Sequence, residues 1–157
     1  MIQIRTASAA DVALLATLNH CVHDLHRRHR PDLFIDSPEI GAVEAFFQAQ
    51  IADPSVTVLL AGTEGNALGY ALARVKKKLG SALTYSDVVM SLDQIAVAPD
   101  AARSGVGAAL LEAVREVGRT AGCRRLVTDV WYFNEGARAF YKAAGFSPTN
   151  VHLDQQL

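Results

Sequence analysis

A chain of 157 residues, half of them hydrophobic and 20% charged, has the makeup of one globular domain and not of a disordered or fibrous chain. Its formal net charge of -1 supplies no field to draw in nucleic acid or an anionic membrane. Cys21 and Cys123 stand far apart with no C-x-x-C pattern, which excludes a disulfide framework and a zinc knuckle and leaves two reduced thiols expected in the core.

The first residues lack the charged start and apolar run of a leader, and no apolar stretch approaches about 18 residues. Neither secretion nor membrane spanning is expected, and a cytoplasmic location follows. Ile2 and Ile4 alternate with polar neighbours as a first strand, and Ser8-x-x-Asp11 has the form of a capping box opening a helix. Leu15, Leu18, Val22 and Leu25 give that helix an apolar stripe. His20, His23, His26 and His29 recur every third residue, a pattern that raises metal binding. At about 100° per residue, however, His20 and His26 lie about 120° apart, so the four cannot converge on one ion. They are expected to form a solvated face that leads into Arg27-Arg28-His29-Arg30 and borders a substrate cleft.

Pro31-Asp32 ends this helix. Ser37-Pro38-Glu39 starts another, with Ser37 as N-cap and Pro38 at the first helical position. Ile40, Val43, Phe47 and Ile51 make its inner face, and Asp53-Pro54 stops it. The β-branched run over residues 56–60, a turn over 62–66 and a second run over 67–75 predict a hairpin. Lys76, Lys77, Lys78, Gly80 and Ser81 read as a basic, solvated loop. Residues 88–97 form a long fourth strand, residues 126–130 a fifth beyond the next helix, and residues 147–153 a short last one. The order β-α-α-β-β-β-α-β-α describes a single α/β domain of mixed α+β type over residues 1–157, its sheet flanked by helices.

Between the fourth strand and its helix, apolar Ile95 and Val97 meet Pro99, and the chain passes Arg103-Ser104-Gly105-Val106-Gly107. Helical spacing then begins at Val106, Leu110, Val114 and Val117. The first N–H groups of a helix have no partner inside it, and the helix dipole adds partial positive charge there, so a phosphate fits. Gly105 and Gly107 carry no Cβ to bar a ligand or to forbid positive φ. Read without a ligand, the same glycines make a tight strand-to-helix turn. A third glycine for the dinucleotide fingerprint is missing, and no Gly-Lys-Ser/Thr follows as a P-loop requires.

The stretch resembles instead the acetyl-CoA loop of the GNAT superfamily of N-acetyltransferases, Gln/Arg-x-x-Gly-x-Gly/Ala after a strand ending Val-x-Pro. Val97-Ala98-Pro99 and Ala102-Arg103-Ser104-Gly105-Val106-Gly107 occupy those places. Ala102 departs from the pattern, standing where the family carries Gln or Arg, and Arg103 beside it is the available substitute. Further on, Asn134 opens a helix as N-cap, Ala137, Phe140, Tyr141 and Ala144 share one face, and Gly145 ends it. Asn134-x-x-Ala137-x-x-x-Tyr141-x-x-x-Gly145-Phe146 is similar to the second GNAT signature, so the resemblance is specific over residues 92–146.

That resemblance implies a twisted sheet whose fourth and fifth strands splay apart to admit pantetheine along the backbone of Ile95, Ala96 and Val97. It implies a pyrophosphate cradled by Arg103, Ser104, Gly105, Val106, Gly107 and Ala108, and transfer of acetyl from acetyl-CoA to a primary amine by direct attack in a ternary complex, without a metal. The lysine loop would then attract CoA phosphates or an acidic substrate, its structural reading being a hairpin tip. Tyr141 would aim its hydroxyl at the CoA sulfur, although an aromatic on an inner face can also simply pack. Asn134 would touch the cofactor or act only as a cap. The amine must be uncharged to attack, so a base or water takes its proton; Asp93 on the fourth strand and Asp129 on the fifth are the candidates. The acceptor, a small-molecule or protein amine, stays open, and a homodimer is compatible. The alternative from another class is a noncatalytic CoA-binding regulator.

Overall fold

Five strands, β1 (Gln3–Thr6), β2 (Val56–Thr63), β3 (Asn66–Lys78), β4 (Asp87–Val97) and β5 (Arg125–Thr128), lie side by side in that order in one sheet. Neighbours from β1 to β4 are antiparallel, and β5 joins β4 in parallel. Among the described residues four helices cover the sheet: α1 (Val12–His29), α2 (Ile40–Ala52), α3 (Val106–Thr120) and α4 (Glu135–Ala143). The computed structural model describes residues 1–63 and 66–157; Glu64 and Gly65, inside the turn expected over 62–66, lie outside the described residues. Among those described, no helix is long and apolar enough to cross a membrane.

Side chains alternate across a strand, so each face of the sheet builds its own core. Ala71 and Ala73 of β3 join Leu59, Met90 and Leu92 under Val106, Leu110, Leu111 and Val114 of α3 and Tyr141 of α4. Tyr70 and Leu72 of the same strand join Val58, Leu60 and Ala96 under Leu15 and Leu18 of α1 and Phe47 of α2. Phe47 is wholly buried, which contributes roughly 1.5–3 kcal/mol relative to an exposed side chain. Opposite β3, the pairs Leu72↔Gln94 and Ala73↔Leu92 leave Asp93 as an extra residue in β4. This bulge moves the alternation by one, so Leu92 faces α3 while Ala96 faces α1.

Local signals near the amino terminus act as expected. Asp11 accepts the Ser8 N–H at 2.7 Å and the Ser8 hydroxyl at 3.1 Å, and a single 3-10 turn over Ala9–Asp11 feeds α1. Several expectations need correction. Helix α2 starts at Ile40 with Glu39 as the capping residue, because Glu39 is still extended at ψ 129° and its carbonyl accepts from Ala42 and Val43. Ile40 then sits at the protruding first turn, 61% exposed, and not on the inner face. Lys76, Lys77 and Lys78 belong to β3, since Val89, Val88 and Asp87 continue the ladder opposite them. Cys21 is exposed, about 100° around α1 from the stripe residue Val22. Residues 147–153 form no strand, for no edge of the sheet pairs with them.

Candidate active site

The ladder between β4 and β5 covers only Val89–Leu92 and Arg125–Thr128, while β4 runs on to Val97. Thr128 closes the last pair by donating its hydroxyl to the Leu92 carbonyl at 2.9 Å. Beyond that point β4 keeps β3 on one side and a gap on the other. The Ala98 N–H donates to the Leu68 carbonyl at 2.8 Å, so alternation turns the backbone of Gln94, Ala96 and Ala98 toward β3. The N–H and C=O groups of Ile95 and Val97 face the gap. Ala96 therefore differs from its two neighbours, its own polar groups being directed to β3.

Past Val97 a short turn over Pro99–Ala101 leads to the glycine loop, where Arg103 takes φ 61° and Gly105 φ 86°. A left-handed residue just before Val106 reverses the chain into α3, and Gly105 is the residue that does this without strain. The first helical bond returns the Ala109 N–H to the Gly105 carbonyl at 3.0 Å, leaving the N–H groups of Val106, Gly107 and Ala108 ahead of it. Nothing lies within 4 Å of the place a Gly105 Cβ would take. A Cβ on Gly107 would instead meet the Phe140 ring at 3.3 Å, so this glycine serves the packing of α4 on α3. Ser104 donates its hydroxyl to the Ala101 carbonyl and so braces the loop from within. Arg103 is exposed, as are Ser104 and Ala108.

Asn134 caps α4, its Oδ1 accepting the Ala137 N–H at 3.0 Å, and this fixes the face on which Tyr141 emerges two turns later. Tyr141 is 8% exposed and packs edge-on to Phe140 and Phe146. Burial pushes its phenol above the ordinary value. Gly145, at φ 92°, then stops the helix.

The two carboxylates differ. Asp93 accepts from Arg74 Nε at 2.6 Å and from the Ser91 hydroxyl at 2.7 Å, with Lys76 Nζ at 3.6 Å. Both of its oxygens are engaged on the α1 and α2 side of the sheet. Asp129 lies exposed one residue past β5.

Sequence reasoning misses an aromatic cluster just beyond β5. Phe34, Trp131 and Phe133 gather around His26, with ring centroids 5.1, 6.3 and 6.0 Å from it, and His29 stacks on Phe133 at 4.3 Å. Arg30 lies over Trp131 at 5.7 Å. The histidine face is therefore only partly solvated: His20 and His29 are exposed, whereas His26 packs into an aromatic joint, and burial, then the neighbouring His23 and His29, lower the His26 pKa, which favours neutral imidazole. His23 Nε2–H donates to the Ile35 carbonyl at 2.7 Å. The Arg27 to Arg30 run is also neutralised, Arg27 by Asp24 and Asp36, Arg28 by Asp24, and Arg30 by Asp32 and Asp154. The available signal was Trp131-Tyr132-Phe133, three aromatics in succession just outside a strand. Among the described residues no group of three His, Cys, Asp or Glu side chains could hold a metal.

Comparison with known proteins places this geometry in context. The model of the acetyltransferase (GNAT) family matches residues 21–146. An aminoglycoside N(6')-acetyltransferase type 1 of Stenotrophomonas maltophilia is 34% identical over 147 residues, covering 93% of this chain and 86% of that protein. The BH1408 protein of Bacillus halodurans, solved as a tetramutant, superposes with a TM-score of 0.93 at 24% identity over 99% of both chains. The aminoglycoside acetyltransferase AAC(6')-Iy, solved with a CoA-linked bisubstrate analogue, superposes with a TM-score of 0.77 at 22% identity, covering 100% of this chain and 98% of that one. These two structural likenesses are likenesses of fold.

Proposed function

Because the chain belongs to the GNAT family of acetyltransferases, we propose that it transfers acetyl from acetyl-CoA to a primary amine by direct attack in a ternary complex. The observations that support this reading are the open N-terminus of α3, the parting of β4 from β5 beyond Leu92 and Thr128, and the burial of Tyr141 in the same core as Val106. In this reading the N–H groups of Val106, Gly107 and Ala108, with Arg103 beside them, hold the pyrophosphate, and Ile95 and Val97 bond the pantetheine amides as a missing strand would. Acetyl-CoA supplies the activated thioester. Val106 and Tyr141 lie on the same face of the sheet, so the acceptor enters from the opposite face, past α1 and the aromatic wall around Trp131.

Tyr141 donates its hydroxyl hydrogen bond to the thiolate as the thioester breaks. A reference phenol near 10 against a thiol near 8.5 makes complete proton transfer uphill by about 2 kcal/mol, and burial widens that difference. Stabilising developing charge through an aligned donor is the larger contribution. The attacking amine loses a proton to water or a carboxylate. With Asp93 tied to Arg74 and Ser91, Asp129 is the freer acceptor of the two, and Asp93 acts through water. Curated relatives named for aminoglycoside N(6')-acetylation support a small-molecule amine as acceptor, and use of acetyl-CoA supports a cytoplasmic location.

Binding is tested first, by heating the protein with and without acetyl-CoA. A ligand held only by the folded state adds about 2.7 kcal/mol at a hundredfold excess over Kd, or roughly 5–10 °C in Tm for a chain of this size. An unchanged Tm at millimolar acetyl-CoA sinks the proposal.

A further inference from the structure

Tyr70 is wholly buried under α1 and α2, where Phe47 meets it edge-on at 5.5 Å, yet its hydroxyl is bonded on both sides. It accepts from Asn19 Nδ2 of α1 at 2.9 Å and donates to Gln94 Oε1 of β4 at 2.7 Å. Burial pushes the phenol up, so it keeps its proton and stays a donor to Gln94. A hydroxyl held this way fixes which end of each carboxamide is turned to it.

Each amide therefore spends one atom on Tyr70 and keeps the other. Among the described residues neither Gln94 Nε2 nor Asn19 Oδ1 has a hydrogen-bond partner, and no buried side-chain nitrogen or oxygen lacks one, so both atoms reach solvent. The two amides are neighbours, with Asn19 Nδ2 standing 3.5 Å from Gln94 Oε1. Gln94 lies two residues past Leu92, the last residue of β4 that β5 covers, and its side chain shares the α1 face with Tyr70 and Ala96. An uncommitted donor and an uncommitted acceptor thus sit together where β4 is left open. The adjacent carboxylate, Asp93, is already held by Arg74 and Ser91.

Resting on the acetyltransferase reading, we propose that Gln94 and Asn19 form an acceptor subsite for a primary amine that carries an ether or hydroxyl oxygen two carbons from its nitrogen, as amino sugars and amino alcohols do. Gln94 Nε2–H donates to that oxygen, and Asn19 Oδ1 accepts one N–H of the uncharged amine, whose lone pair stays free for the thioester. Tyr70 is the positioning residue, touching no substrate and holding both amides in register. A subsite built to bond an oxygen discriminates against the analogue that lacks it, because its donor is then left unpaired.

The test compares 2-methoxyethylamine with butylamine, which differ by one oxygen in place of one methylene, as acceptors for the full-length protein with acetyl-CoA. The readout is the ratio of the two kcat/KM values in wild type and variant, a comparison in which the different basicity of the two amines cancels. Gln94→Leu should lower the ratio about tenfold, the size of one net hydrogen bond. Tyr70→Phe keeps the buried ring and should lower the ratio in the same direction, whereas a purely structural loss would slow both amines equally. If Gln94→Leu fails to fold, Tyr70→Phe decides alone. Transfer to amines with an unchanged ratio in a folded variant overturns this proposal and leaves the acetyltransferase reading standing; no transfer to any amine overturns both.

Discussion

Tyr141 is shut between Phe140 and Phe146, so the packing of its ring is separable from donation by its hydroxyl. Tyr141→Phe keeps the ring and should leave the acetyl-CoA Tm shift intact. Its kcat should fall roughly tenfold to a thousandfold, the range for losing one aligned donor to developing charge. KM for acetyl-CoA should hardly change, since the thiolate forms only as the bond breaks. Full kcat with an amine whose chemistry limits the rate would make Tyr141 a packing residue. Asp11 offers a residue-scale test of the fold instead. The Arg5 guanidinium, donating at 2.7 and 2.9 Å, holds this carboxyl well below the usual range. A depressed carboxylate stabilises above its unfolded value near 3.9, and the contribution is lost as pH falls toward the folded value. With Arg5 half exposed and screened, Asp11→Asn should cost about 1–2 kcal/mol at pH 7. The Tm gap between variant and wild type should narrow below about pH 3; a gap that is constant with pH would remove Arg5 and Asp11 from the account.

At the scale of elements, the glycine loop and α4 were legible because their signals are local. Gly105 before a helical run, Asn134 as a cap and Gly145 as a stop each act within one turn, and each does so in the structure. What was not legible joins residues far apart in the chain. Arg74 engages Asp93 across a ladder, and Trp131 meets His26 and Phe34 across more than half the sequence. Neither contact leaves a periodic trace. Gly107 was read as making room for a ligand, whereas the atom it makes room for belongs to Phe140. The loop is tested by a pair of substitutions at Gly105. Asn tolerates the left-handed region, so Gly105→Asn should keep the free protein's Tm nearly unchanged while its side chain fills the open space before α3 and weakens acetyl-CoA binding at least tenfold. Gly105→Val should lose binding and also about 1–2 kcal/mol of stability. Normal acetyl-CoA affinity in a folded Gly105→Asn protein would reduce the loop to a turn.

For the whole molecule, the sheet places each function on its own side. In the proposed reading, helices α3 and α4 build the face that would carry the phosphate end and the phenol, and α1 with the aromatic joint builds the face from which an acceptor would arrive. In that reading the parting of β4 from β5 connects the two faces. The central claim is transfer to an amine, and the direct measurement is release of free CoA from acetyl-CoA with primary amines, aminoglycosides first, the product identified by mass. The account predicts enzyme-dependent CoA and acetylated amine in equal amounts with at least one acceptor, both suppressed in Tyr141→Phe. Saturable acetyl-CoA binding with no CoA released on any amine would contradict it and identify a CoA-binding regulator in place of an acetyltransferase.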